Sequence, residues 1–203
     1  MTRRPSPSAT PSLRRVAVVA ALVTVTCPLA ACGSGNTQSW VGTFCGTGLS
    51  LRTQMTDANA KLKAQLAANA SPASIAASAK QDAAAIAVAA AAATNRMREA
   101  GDPSVDQGKG IELAAITLFD GVQSQAEANE TTASGISGSS AEALTATLGP
   151  YSKEVADLSG RLARSFTYVQ DYKGYPDIEK ASRTPDPETH VDETCAKLQA
   201  TAP

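Results

Sequence analysis

Residues 71–103 read SPASIAASAKQDAAAIAVAAAAATNRMREAGDP, and this stretch decides the fold. Alanine, the strongest intrinsic helix former, fills about half of it, including the unbroken run Ala89–Ala93. Ser71 and Pro72 supply an N-cap and a first-turn proline, and Gly101-Asp102-Pro103 supplies a stop. Ile75, Ala79, Ile86, Ala93 and Met97 form a sparse apolar stripe. Lys80, Asp82, Arg96 and Arg98 are spaced among them, as expected of a packed helix over 72–100.

Working outward, the same helical period continues on both sides. Val41, Phe44, Gly48, Leu51, Met55, Ala58, Leu62 and Leu66 recur at three- and four-residue steps and predict a helix over about 39–69. Gly48 lies on that stripe, where a missing Cβ permits close approach of another backbone. After the loop 102–110, Ile111, Ala115, Leu118, Val122 and Ala126 predict a helix over about 110–130. Ser139 and Glu142 fit a capping box for a fourth helix over about 140–172, with a kink at Gly149-Pro150. The proline-bearing stretch from Lys173 to Glu188 reads mostly as loop. A short helix over about 187–200 places Val191, Cys195 and Leu198 on one face. No segment alternates with period two. The expectation is an all-α protein, an up-down bundle of four main helices plus the C-terminal one, forming a single domain over 39–200.

The chain of 203 residues begins with a basic, acid-free region (Arg3, Arg4, Arg14, Arg15) and the apolar run Val16–Thr26. That pattern is a signal peptide's, and the run is too short to span a bilayer. Leu29-Ala30-Ala31-Cys32 follows, and this order resembles the lipobox of bacterial lipoproteins; ordinary secretion is the rival reading. The resemblance implies cleavage between Ala31 and Cys32, removal of residues 1–31, and a lipidated Cys32, with family practice adding an acyl group such as palmitate at the new amine. Two or three acyl chains would anchor the protein stably at the outer face of the cytoplasmic membrane. Residues 32–38, rich in Gly, Ser and Asn, then read as a flexible tether. Arg14-Arg15 also suggests a twin-arginine signal, although Leu13 and Ala17 depart from its pattern, so the export route stays open.

Removing the leader leaves 172 residues and takes the formal charge from −1 to −5, because four arginines go with it. An acidic chain without a basic stripe argues against nucleic acid as partner. Of four cysteines, Cys27 leaves with the leader and Cys32 goes to lipid, so Cys45 and Cys195 remain as an even pair. In an oxidising compartment such a pair reads as a disulfide; the alternative is two buried free thiols.

Chemistry is harder to find. His190 is the only histidine and sits among acidic residues and prolines, where a solvated helix start explains it better than a catalytic base. Glu188, His190, Asp192 and Glu193 match no metal-ligand spacing, and Gly108-Lys109-Gly110 lacks a phosphate-binding loop's remaining elements. No catalytic residue, cofactor or metal is expected. Tyr168, Tyr172 and Tyr175, with Tyr151 and Phe166, concentrate aromatic residues late in the chain. They would line a pocket or patch for a partner, or simply belong to the core and its anchoring loop. Trp40 would cap the bundle end or rest at the membrane interface.

The lipobox, the alanine-rich composition, the Trp40…Phe44-Cys45 segment and Cys195-Ala-Lys-Leu198 together resemble the secreted or lipid-anchored helical proteins of high-GC actinobacteria. That resemblance implies location and architecture, and no site residues. The functional expectation is a non-enzymatic envelope lipoprotein that binds a protein or glycan partner. A helical carrier of a small apolar ligand is the second reading, and an enzyme of unrecognised type the third.

Overall fold

The computed structural model describes residues 34–138 and 140–200. The leader, the cleavage position after Ala31, Cys32 and the proposed cap Ser139 lie outside the described residues. Among the described residues the protein is all-helical: α1 (Ser34–Ala67), α2 (Pro72–Ala100), α3 (Gly108–Ser134), α4 (Ala141–Ala163), α5 (Tyr175–Arg183) and α6 (Val191–Gln199), with a 3-10 turn at Ser165–Tyr168. The most extensive pairing joins α2 to α3, while α1 packs against α2, α4, α5 and α6.

The bounds of α2 match the reading of its caps. Ser71 Oγ accepts from the Ser74 amide at 3.2 Å, and the Gly101 amide donates back to the Arg98 carbonyl. Gly101 has φ 68 and ψ −154, a conformation that only glycine adopts without strain. The buried stripe of α2 is largely alanine (Ala79, Ala83, Ala87, Ala90, Ala93) with Ile75, Ile86 and Met97.

Four boundaries differ from the sequence reading. First, α1 already contains Asn36, Thr37 and Gln38, which were expected in a flexible tether. Asn36 Nδ2 reaches the Asp102 carbonyl and Ser104 Oγ at 3.3 and 3.2 Å, and Thr37 is buried, so tertiary contacts hold this first turn. Second, α4 is capped by Ser140, whose Oγ accepts from the Ala143 amide at 3.2 Å. This cap lies one residue later than the proposed Ser139, which moves Glu142 from the third helical position to the second.

Third, α4 ends at Ala163 rather than continuing to 172. The chain tightens into the 3-10 turn there, and Phe166 meets Phe44 edge-on with ring centroids 5.5 Å apart. Pro150 lies inside α4 without ending it, although its missing N–H leaves the Ala146 carbonyl without that helical donor. Fourth, the stretch assigned to loop contains α5. Pro176 sits in its first turn, where a fixed φ and an absent N–H cost nothing. Ahead of it, Gly174 packs so closely that a Cβ would lie 2.3 Å from the Asp106 carbonyl oxygen. Smaller shifts extend α3 at both ends and delay α6 to Val191.

The core runs through all six helices. Trp40 stacks on Phe44 at 5.3 Å and donates its Nε1–H to the Gly101 carbonyl at 3.0 Å, closing the bundle end at the α2–α3 loop. Asn129 is buried on α3. Oriented with Nδ2 toward α4, its amide donates to Glu154 Oε2 at 2.6 Å and to the Gln125 carbonyl at 3.1 Å.

Tyr151 is 1% exposed and donates its hydroxyl to the Ala79 carbonyl at 3.0 Å. Burial, with a smaller contribution from the negative charge of Asp82, pushes its pKa from 10.0 up to about 12. The unfolded chain therefore loses this proton first, and stability present below pH 10 declines as pH rises toward 12. A two-unit shift corresponds to roughly 2–3 kcal/mol. Urea unfolding at pH 8 and 12 should show that decline in the native protein. Tyr151→Phe should flatten it, at a cost at pH 8 of about 0.5–1.5 kcal/mol for the hydrogen bond, since the Ala79 carbonyl keeps its helical donor within α2. An equal alkaline loss in Tyr151→Phe would assign the effect to other groups.

Candidate functional site

The N-terminal half of α1 organises the features with the most chemical content. Cys45 and Cys195 form a disulfide across 150 positions, with Cα atoms 4.9 Å apart, within the range that a bridge requires. Its seat is built from both helices. Gly42, Cys45 and Gly48 stand at three-residue steps on α1, opposite Val191, Cys195 and Leu198 on α6. A Cβ on Gly42 would meet Val191 Cγ2 at 3.0 Å, and one on Gly48 would meet Leu198 Cδ2 at 3.0 Å. Gly48 thus admits a leucine side chain where close backbone approach was expected. Arg52 completes the seat: its Nη1 donates to the Lys197 and Leu198 carbonyls at 3.0 and 2.6 Å. A guanidinium at a helix C-terminus pairs with carbonyls that lack helical donors and with the negative end of the dipole.

Two open clefts flank α1 and share Gln38. The first, about 420 Å³, lies between α1, the α2–α3 loop and α5, and is lined by Thr37, Gln38, Ser104, Val105, Asp177 and Lys180 among others. The second, about 630 Å³, runs along α1 toward α6 and includes Ser39, Thr43, Asp186 and Thr189. A hydrogen bond from the Thr189 hydroxyl, then one from the Glu188 amide, holds the Asp186 carboxyl below its ordinary pKa. Gln38 Nε2 is a buried donor with no hydrogen-bond partner among the described residues. Nothing in the sequence alone marks Gln38, Ser104 and Lys180 as neighbours.

The tyrosines divide. Tyr168 is 43% exposed, whereas Tyr172 and Tyr175 are half-buried and pack against the core. Tyr172 lies over Gly110, with Cε1 2.5 Å from where a Cβ would stand. Burial raises the Tyr175 pKa, with the Glu179 charge adding to it. The three residues do not line either cleft beside α1. Tyr151 and Phe166 are buried core residues.

His190 is exposed at the start of α6, with φ 49, and its Nδ1 lies 3.6 Å from Glu193 Oε1. Among the described residues no group of three or more His, Cys, Asp or Glu side chains is placed to hold a metal ion. Glu112, buried on α3, is paired with Lys109 in the Gly108-Lys109-Gly110 segment. Among the described residues, no helix is long and apolar enough to cross a membrane. Compared with protein-family models, curated proteins and solved structures, the chain has no significant match.

Proposed function

We propose that this chain is a non-enzymatic interaction module of a bacterial envelope. In this reading it is exported, cleaved after Ala31 and anchored by lipid on Cys32 at the outer face of the cytoplasmic membrane. Its four long helices run in up-down order, and its surface recruits an envelope protein or glycan. The observation that carries the reading is the Cys45–Cys195 disulfide, because such bridges persist outside the reducing cytosol. The Leu29-Ala30-Ala31-Cys32 order agrees with it independently. The carrier alternative requires enclosed apolar space. The two clefts beside α1 instead open to solvent and carry hydroxyl, amide and charged groups.

The anchor is tested by Cys32→Ala, followed by fractionation and intact-mass measurement. The wild-type chain should sediment with membranes and carry the mass of added acyl groups. The variant should appear in the soluble fraction or retain its leader. Unchanged membrane association with normal processing would overturn the assignment of Cys32.

A further inference from the structure

We propose that the outer face of α2 pairs with the same face of a second copy of this chain, antiparallel, about a two-fold axis at Val88. Val88 is 71% exposed, an aliphatic side chain left in solvent near the middle of the helix. Ala84, Ala85, Ala91 and Ala92, each exposed or half-buried, surround it with an uncharged strip that ends at exposed Gln81 and Asn95. One edge of the strip meets α1, where Lys61 pairs with Asp82 and Arg96 stands beside Ser39 and Thr43. The other edge meets α3, through Lys80–Glu130 and Arg98–Asp120.

Symmetry and charge select the second copy as occupant. A two-fold interface is self-complementary, residue i meeting j and j meeting i. Counting outward from Val88, Ala85 mirrors Ala91, Ala84 mirrors Ala92 and Gln81 mirrors Asn95. Antiparallel copies therefore set alanine on alanine, at the close end of the about 8–10 Å range of helix separations, and amide against amide. Arg96 has no ion-pair or hydrogen-bond partner among the described residues. On the same α1 edge, a notch of about 220 Å³ holds Asp57 and Asp82 against one cation, Lys61, which pairs with Asp82 and leaves Asp57 unpaired. Asp82 precedes Val88 by six positions and Arg96 follows it by eight. The two-fold matches edge to edge and reverses direction, so it brings the second copy's Arg96 to this notch. The lean of helical side chains toward their own N-terminus carries its guanidinium further over the carboxylates. On the α3 edge the charges meet as closed pairs, Lys80–Glu130 against the second copy's Arg98–Asp120, so no bare like charges oppose each other. From Gln81 to Asn95 the strip is about 21 Å long and one helix, about 10–12 Å, wide. That is well under the about 800 Å² per partner of a stable complex, so the pairing is reversible.

The test is oxidative cross-linking of the full chain, purified in a nonionic detergent and held at up to about 1 mM, the weak end of specific affinity. Val88→Cys lies on the axis and should form a disulfide-linked dimer at least about tenfold faster than Leu113→Cys, a control 53% exposed on α3. Mixed Ala84→Cys and Ala92→Cys copies should link to each other in preference to themselves, which only the antiparallel register allows. Adding Arg96→Glu to Val88→Cys should slow its linkage about two- to fivefold, as for loss of an exposed ion pair, and adding Asp57→Arg as well should restore it. Val88→Cys linking no faster than Leu113→Cys would overturn the proposal. So would preferential self-linkage of Ala84→Cys, unslowed linkage with Arg96→Glu, or no recovery with Asp57→Arg. The wild-type chain, with Cys45 and Cys195 bridged, should give no dimer. A wild-type dimer would report a free Cys32 thiol and count against the lipid anchor, not against the pairing of α2.

Discussion

Replacing both bridge cysteines, as Cys45→Ala with Cys195→Ala, should lower unfolding free energy by about 3–5 kcal/mol. Closing a loop of 150 residues removes much of the freedom of the unfolded chain, and loop-closure entropy places that effect near 5 kcal/mol. Residual structure in the unfolded chain lowers the figure, hence the range. The remaining contacts of α6 show why the bond matters locally. This helix has nine residues, too few to be stable alone, and contributes Val191, Cys195 and Leu198 to the core. Without the bridge it is held by those side chains against Gly42 and Gly48 and by the Arg52 hydrogen bonds. Hydrogen exchange should therefore show α6 opening first in the double variant, while α2 and α3 keep most of their protection. Denaturant unfolding of wild type and variant gives the total. A loss under about 1 kcal/mol would mean that packing, and not the covalent bond, fixes α6.

Where both ends of an element carry local chemistry, its reading and its structure agree. Helix α2 has a serine cap, a first-turn proline and a terminal glycine, so its bounds needed no tertiary information. Helix α4 shows the limit of periodicity. Phe166 and Val169 continue the apolar spacing and are buried, yet they belong to a 3-10 turn and the bend after it. Apolar spacing reports burial, and burial survives a change of backbone. Helix α5 was hidden by Pro176, because proline signals a break in mid-helix and a start in the first turn. The bridge was legible from counting cysteines once Cys27 and Cys32 were set aside. The cleft was not, since Gln38, Ser104 and Lys180 belong to three separate segments and become neighbours only through the packing of α1 against α5.

Phe44→Ala should cost about 3–5 kcal/mol, the usual range for emptying a buried aromatic site. Phe44 is fully buried and touches three other rings: Trp40 stacked at 5.3 Å, Phe119 edge-on at 5.9 Å and Phe166 edge-on at 5.5 Å. These rings bring together α1, α3 and the 3-10 turn, in a chain whose aromatic content is only 4%. Alanine elsewhere in the core offers no side chain long enough to fill the space, so the cavity should persist rather than collapse. Each edge-on or offset ring pair adds about 0.5–1.5 kcal/mol beyond area burial. A double-mutant cycle with Phe166→Leu should therefore return a coupling of about 0.5–1.5 kcal/mol. Val88→Ala, at a side chain 71% exposed on α2, should change stability by less than about 0.5 kcal/mol and serves as the control. If Phe44→Ala lost no more than Val88→Ala, the ring cluster would not be what joins α1 to α3 and the turn. The alanine-lined contacts and the Cys45–Cys195 bridge would then have to hold α1 in place by themselves.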